Sequence, residues 1–209
     1  MFEFRHVTKQ FSEKFVLQDF SFKIAEGDKV NIVGRSGIGK TTLFRLLLGF
    51  EKPDSGAIYY KNEPITDINV WELRKKVAYV SQDLNIGRGN VQTFFDETLS
   101  LKANILQKSN SKAGIKEQFA CFELSEDILS KNIEELSGGE KQRIEIINAL
   151  ILNRKIFFLD EITSALDKVL KAKTLDYFLQ NPELTVLYIS HDSYLPTGVE
   201  LKTLKLDEL

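Results

Sequence analysis

Cys121 is the only cysteine in this 209-residue chain, so no disulfide can form within it. Two histidines beside that cysteine leave too few ligands for a structural zinc site. Charge of one sign is also missing. Lys plus Arg number 28 and Asp plus Glu 30, a formal charge of −2 at pH 7, whereas a chain built to wrap nucleic acid is usually strongly basic. No apolar stretch approaches the ~18 to 20 residues that a bilayer span needs. The richest, 43–50, is interrupted by Arg45. The opening Met1-Phe2-Glu3-Phe4-Arg5-His6 lacks the basic start and apolar run of a secretory leader. These absences lead us to expect a cytoplasmic protein that reaches a membrane only through a partner and has no nucleic-acid partner.

What is present is ordinary for a globular protein: 43% hydrophobic and 28% charged residues. The length suits one domain, or one domain carrying an inserted subdomain. It is enough to bury roughly 70% of the unfolded surface without a disulfide or metal. Cys121 then reads as a small buried hydrophobe.

Strand-like and helix-like segments alternate, which predicts an α/β fold. Residues 2–7 and 20–24 alternate apolar and polar positions, as half-buried strands do. Residues 29–33, 77–80, 155–159 and 185–189 are short apolar runs, suited to strands of a parallel sheet buried on both faces. Residues 40–48, closed by Gly49, and 168–179 read as helices, and 200–209 as a final strand. Residues from about 84 to 136 are polar and helix-compatible with no central-strand run, and so predict a mostly helical insertion.

Gly34-Arg35-Ser36-Gly37-Ile38-Gly39-Lys40-Thr41 fits G-x-x-x-x-G-K-[ST] at every fixed position. Glycines let successive backbone N–H groups turn inward toward phosphate oxygens. The helix that follows presents its positive N-terminal dipole to the same anion. Lys40 can reach β- and γ-phosphates and the Thr41 hydroxyl can bind Mg²⁺. The motif lies between a predicted strand and a predicted helix, the context that separates it from a glycine-rich turn.

The run 155–159 ends in Asp160-Glu161. Ligands of open α/β sheets sit beyond the carboxyl ends of the strands. Asp160 is therefore placed to hold Mg²⁺, and Glu161 to orient or deprotonate an attacking water. Further along, Leu136-Ser137-Gly138-Gly139-Glu140-Lys141-Gln142-Arg143 precedes a helical run with Ile144, Ile147, Leu150 and Ile151 on a shared face. Backbone N–H groups at Gly138 and Gly139 would make an anion site. A helix capped by Ser137 with Glu140 as its capping-box partner accounts for the same residues equally well.

Leu-Ser-Gly-Gly-Glu-Lys-Gln-Arg resembles the signature sequence of ATP-binding cassette (ABC) ATPases, and five further features match that family in order. Phe11 stands where an adenine-stacking aromatic lies, with Phe15 a rival. Gln82 matches the glutamine loop, Asp160-Glu161 the Walker B end, Ser164-Ala165-Leu166-Asp167 the D-loop, and His191 the switch histidine. The resemblance spans essentially the whole chain. It implies a P-loop NTPase (RecA-like) core with a parallel central sheet, an N-terminal antiparallel β subdomain and an inserted helical subdomain. The core would comprise residues 1–83 and 153–209, and the signature subdomain 84–152.

The resemblance also implies a head-to-tail dimer, with a second copy or a homologous cassette, in which each ATP lies between one subunit's phosphate loop and the other's signature. Carried over, Gly34, Arg35, Ser36, Gly37, Ile38, Gly39, Lys40, Thr41 and Thr42 surround the phosphates. Thr41, Asp160 and Gln82 serve the metal, while Glu161, His191 and Gln82 are catalytic. Ser137, Gly138 and Gly139 face the partner's γ-phosphate and Asp167 bridges the interface. ATP and Mg²⁺ are the implied cofactors. The chain would power a separate membrane permease as its peripheral cytoplasmic ATPase, with 83–98 as the contact.

Ile162 stands where the family often has proline or alanine, and Arg35 replaces a common proline and adds charge near the phosphates. The run 160–167 and the short length are similar to small ATPases of metal or iron export systems, and a C-terminal regulatory domain is not expected. A soluble member without a permease, such as an iron–sulfur assembly ATPase, is the alternative. Only 97 positions separate Lys40 from Ser137 without sustained heptads, which disfavours the coiled-coil insertion of DNA-repair members. A nucleotide kinase would share the phosphate loop but neither the signature nor the D-loop.

Overall fold

The structure is a computed structural model that describes residues 1–12, 14–83, 86–104, 111–190 and 194–208, apart from the side chains of 111–113 and 208. Two sheets organise it. Strands β1 (Phe2–Phe11), β2 (Lys14–Ile24), β4 (Ser55–Tyr60) and β5 (Glu63–Pro64) form an antiparallel sheet in the order β2-β1-β4-β5. Strands β6 (Val77–Val80), β7 (Ile156–Asp160), β8 (Thr185–Ile189), β3 (Lys29–Val33) and β9 (Leu201–Lys205) form a parallel sheet in that order.

The apolar runs are buried on both faces for a reason visible residue by residue. In β7, Ile156 and Phe158 join the core shared with the antiparallel sheet and α1 (Lys40–Leu47), whereas Phe157 and Leu159 join the core on the opposite side. In β8, Leu187 and Ile189 face the first core, and Val186 and Tyr188 the second. Successive side chains of a strand point to opposite faces, so a strand covered on both sides must be apolar throughout. Phenylalanines fill the first core: Phe158 lies between Phe44, stacked at 5.1 Å, and Phe2 at 5.8 Å.

The second core is covered by α3 (Val91–Ser100), α4 (Ser111–Cys121), α5 (Gly138–Ile151) and α6 (Lys168–Leu179). In α5 the buried apolar residues are Ile144, Ile146, Ile147 and Ala149, with Leu150 and Ile151 only partly buried. The apolar face is thus turned from the expected one, because the helix packs against both the sheet and α4 and buries a broader arc. Cys121 is half-buried at the end of α4. Strands β4 and β5 and the five-residue helix α2 (Val70–Arg74) went unpredicted, being short and weakly patterned. Among the described residues no helix is long and apolar enough to cross a membrane.

Candidate active site

The loop 34–39 joins the end of β3 to the start of α1, at the carboxyl end of the parallel sheet. Gly37 (φ 71°) and Gly39 (φ 117°) take left-handed backbone conformations that a side chain would oppose. A Cβ on Gly39 would lie 2.2 Å from Val16 Cγ1, so β2 closes over the loop and leaves no room for one. Lys14, also on β2, donates from Nζ to the Gly37 carbonyl at 2.8 Å. Ser36 is exposed, while Ile38 and Thr42 are half-buried.

Lys40 is buried (7% exposed), and its ammonium donates to the carbonyls of Gly34 at 2.8 Å and Arg35 at 3.2 Å. The Thr41 hydroxyl donates to Asp160 Oδ2 at 2.8 Å. Asp160 ends β7 and is buried. Burial raises its pKa, the neighbouring Glu161 charge adds to this, and Thr41, Lys40 and Tyr79 work against it. Tyr79 shares a hydrogen bond with Asp160, and its own pKa is pushed up to about 12, first by burial and then by that carboxylate.

Glu161 leaves the strand with φ 51°, a conformation that costs a non-glycine residue about 1–2 kcal/mol. Its N–H donates to the Ile189 carbonyl at 3.0 Å, and Gln82 Nε2 donates to Glu161 Oε2 at 3.0 Å. Residues 34–42, Gln82, Asp160 and Glu161, more than 100 positions apart at the extremes, therefore meet in one place. His191 lies outside the described residues; β8, which leads to it, ends at Ile189 beside this site.

Ser137 caps α5. Its hydroxyl donates to Glu140 Oε2 at 2.7 Å and accepts the Glu140 N–H at 3.3 Å, while its own N–H reaches the same carboxylate at 2.8 Å. Both readings of this segment survive locally, since a capped helix start also presents its N–H groups outward. Gly138 opens the helix, and a Cβ on Gly139 would lie 3.0 Å from the Ala165 carbonyl, so signature and D-loop are in close packing. Asp167 caps α6, accepting from the N–H groups of Val169 and Leu170 at 2.9 and 3.0 Å. Phe11 stands 44% exposed near the turn of the β1–β2 hairpin, with Lys9 Nζ 4.9 Å from its ring centre, and Phe15 is 47% exposed on the adjoining strand.

Tyr79, Val16 and Asp207 were not singled out by sequence reasoning. Tyr79 had one available signal, a polar-tipped residue in the apolar run that leads to Gln82. The other two are brought to the loop only by tertiary contact.

A family model described as ABC transporter matches residues 17–164. The chain belongs to the ABC transporter family. A relative, the nickel import ATP-binding protein NikE of Brucella suis biovar 1 (strain 1330), is 33% identical over 207 residues, covering 94% of this chain and 77% of that protein. The energy-coupling factor transporter ATP-binding protein EcfA1 of Staphylococcus aureus (strain N315) is 32% identical over 194 residues, 90% of this chain and 72% of its own. Among solved structures, the dimeric bacterial ABC transporter cassette MJ0796 superposes with a TM-score of 0.81 at 25% identity, covering 99% of this chain and 95% of that one. The same cassette bound to ADP and Pi in a post-hydrolysis state gives 0.79. This ABC protein is accordingly an ATPase with the P-loop core and antiparallel sheet of its family.

The donor set also fits a hard divalent cation. A threonine hydroxyl, a buried carboxylate and a glutamine amide are all oxygen donors, the set Mg²⁺ prefers. Asp160 in particular is a buried acid whose raised pKa a cation would bring down.

Proposed function

We propose that this ABC ATPase is the cassette subunit of a membrane transporter, pairing head to tail with a second cassette and driving a separate permease. The observation that carries the reading is the convergence of the Thr41–Asp160 hydrogen bond and the Gln82–Glu161 hydrogen bond beside the phosphate loop. Lys40 lies within the loop, placed to neutralise β- and γ-phosphate charge. The backbone N–H groups of 36–42 line the anion's cradle. Thr41, Asp160 and the Gln82 amide oxygen would hold Mg²⁺, which supplies charge neutralisation between the phosphates. Glu161 accepts the proton of the attacking water, and Gln82, bonded to the same carboxylate, orients it. His191 steadies the γ-phosphate side.

Ser137, Gly138 and Gly139 address the ATP held by the partner cassette, and to do so the Ser137 hydroxyl exchanges Glu140 for phosphate. Asp167 joins the two subunits, and Phe11 stacks on adenine. Most of this machinery positions and stabilises charge, which is what phosphoryl transfer requires. We assign the helical signature subdomain to 84–152 and the permease contact to 83–98. In support, Ile86 and Phe94 line a cleft of about 320 Å³ together with Tyr79, Glu145 and Asn148, so the stretch after Gln82 borders an open surface next to the site. The protein then sits on the cytoplasmic face of the membrane through that permease. The cargo is chosen by the permease, which the cassette drives without touching what is carried.

The test is the Glu161→Gln variant, sized by light scattering with and without ATP and Mg²⁺. Loss of the base should stall hydrolysis and trap a dimer that forms only with ATP. A variant that binds ATP yet stays monomeric at every concentration overturns the paired arrangement.

A further inference from the structure

Arg35, the second residue of the phosphate loop, is gripped from outside the loop. Asp207, in the 3-10 turn Leu206–Glu208 that follows β9, accepts the Arg35 backbone N–H on Oδ2 at 3.0 Å and the Arg35 Nε–H on Oδ1 at 2.8 Å. One carboxylate therefore holds both the main chain and the side chain of a single residue. The guanidinium beside it keeps the Asp207 carboxyl below its usual range, and the nearby Lys40 charge contributes.

The grip has a consequence set by covalent geometry. A trans peptide is planar, so the N–H of Arg35 and the C=O of Gly34 belong to one rigid plane and point in opposite directions. Asp207 holds one side of that plane. On the other side the Gly34 carbonyl accepts from Lys40 Nζ at 2.8 Å. The turn also crowds Gly34: a Cβ there would lie 3.4 Å from Asp207 Oδ2 and 3.5 Å from Leu206 Cβ.

We infer that Asp207 is a positioning residue for ATP binding: by fixing the 34–35 peptide it aims the Gly34 carbonyl at Lys40 and stations the ammonium inside the loop before nucleotide arrives. The inference rests on the reading of 34–42 as the ATP site. Pre-organisation of this kind acts on affinity, because the ordering of loop and lysine need not be supplied by the ligand. It leaves the chemical step alone, since the groups Asp207 holds are the Arg35 N–H and Nε–H rather than Glu161 or Gln82.

The experiment measures binding of a fluorescent ATP analogue with Mg²⁺, steady-state ATP hydrolysis and thermal melting for the intact chain and its Asp207→Ala, Asp207→Asn and Arg35→Ala variants. Asp207→Ala should weaken nucleotide binding and raise KM about fivefold, the loss expected of one ordinary main-chain hydrogen bond, with kcat within a factor of two. Asp207→Asn, whose amide oxygen can still accept the Arg35 N–H, should recover most of the affinity. Arg35→Ala keeps that N–H and should change KM less than Asp207→Ala. Unchanged affinity in Asp207→Ala, whether or not the melting temperature falls, overturns the inference, and so does a fall in kcat with KM constant. Failure of the wild-type chain to bind the analogue would instead overturn the reading of the ATP site.

Discussion

Raising the pH from 5 to 8 should weaken this fold through one glutamate, Glu145 on α5. Among the described residues its Oε2 is buried without a hydrogen-bond partner, and its Oε1 has a long 3.4 Å contact with the Ser81 hydroxyl. Burial pushes the carboxyl up to about 7 from an ordinary 4.5; the Asp83 charge adds to this, and hydrogen bonds from Ser81 oppose it. The folded state therefore binds the proton more tightly than the unfolded chain does. The stability this group contributes is fully present below about pH 4.5 and is lost as the pH rises through 7. Each tenfold difference in proton affinity is worth about 1.4 kcal/mol, so the total loss is about 3 kcal/mol, most of it between pH 5 and 8. Urea unfolding followed by circular dichroism, at unit steps of pH, gives the two curves needed for the wild type and Glu145→Gln. Subtracting them removes every other titrating group that the substitution leaves untouched. The variant should match the wild type within about 1 kcal/mol at pH 5 and exceed it by about 2–3 kcal/mol at pH 8. Curves that run parallel over this range would refute the reasoning.

Three further substitutions test how the core and the cover of the site are built. Gly39→Ala meets both a left-handed φ and Val16 at 2.2 Å, and should cost about 2–5 kcal/mol from backbone strain and overpacking together; Val16→Ala in the same chain should return only the overpacking part, measured as a double-mutant cycle in urea. Phe158→Ala removes a ring with no exposed surface, packed between Phe44 and Phe2, and should lower stability by about 3–5 kcal/mol, read from the urea midpoint at constant slope.

Much of this protein was legible in local patterns because the physics behind them is local. The run 155–159 read as a strand buried on both faces because Ile156-Phe157-Phe158-Leu159 is four consecutive apolar residues with no polar position for a solvent-facing side. Helix α6 was bounded at 168 and 179 by its own cap and periodicity. The phosphate loop was legible because glycine spacing, lysine and threonine are all required within eight residues by one anion. The weak spots were also local: a two-residue strand and a five-residue helix carry too few positions to show a period.

Tertiary structure alone decided what those patterns meet. Thr41 and Asp160 are 119 positions apart, Gln82 and Glu161 79, and Arg35 and Asp207 172. Strand order β6-β7-β8-β3-β9 brings the ends of β7 and β3 to the same edge with β8 between them, and nothing in either motif states that order. The same holds for Val16 above Gly39, where a neighbouring sheet, not the loop's own sequence, demands a residue without a side chain. Sequence by itself determined which chemical groups are available and which local shapes they favour. Chain crossings determined which of those groups share a site, because contacts between distant segments depend on packing that no short stretch encodes.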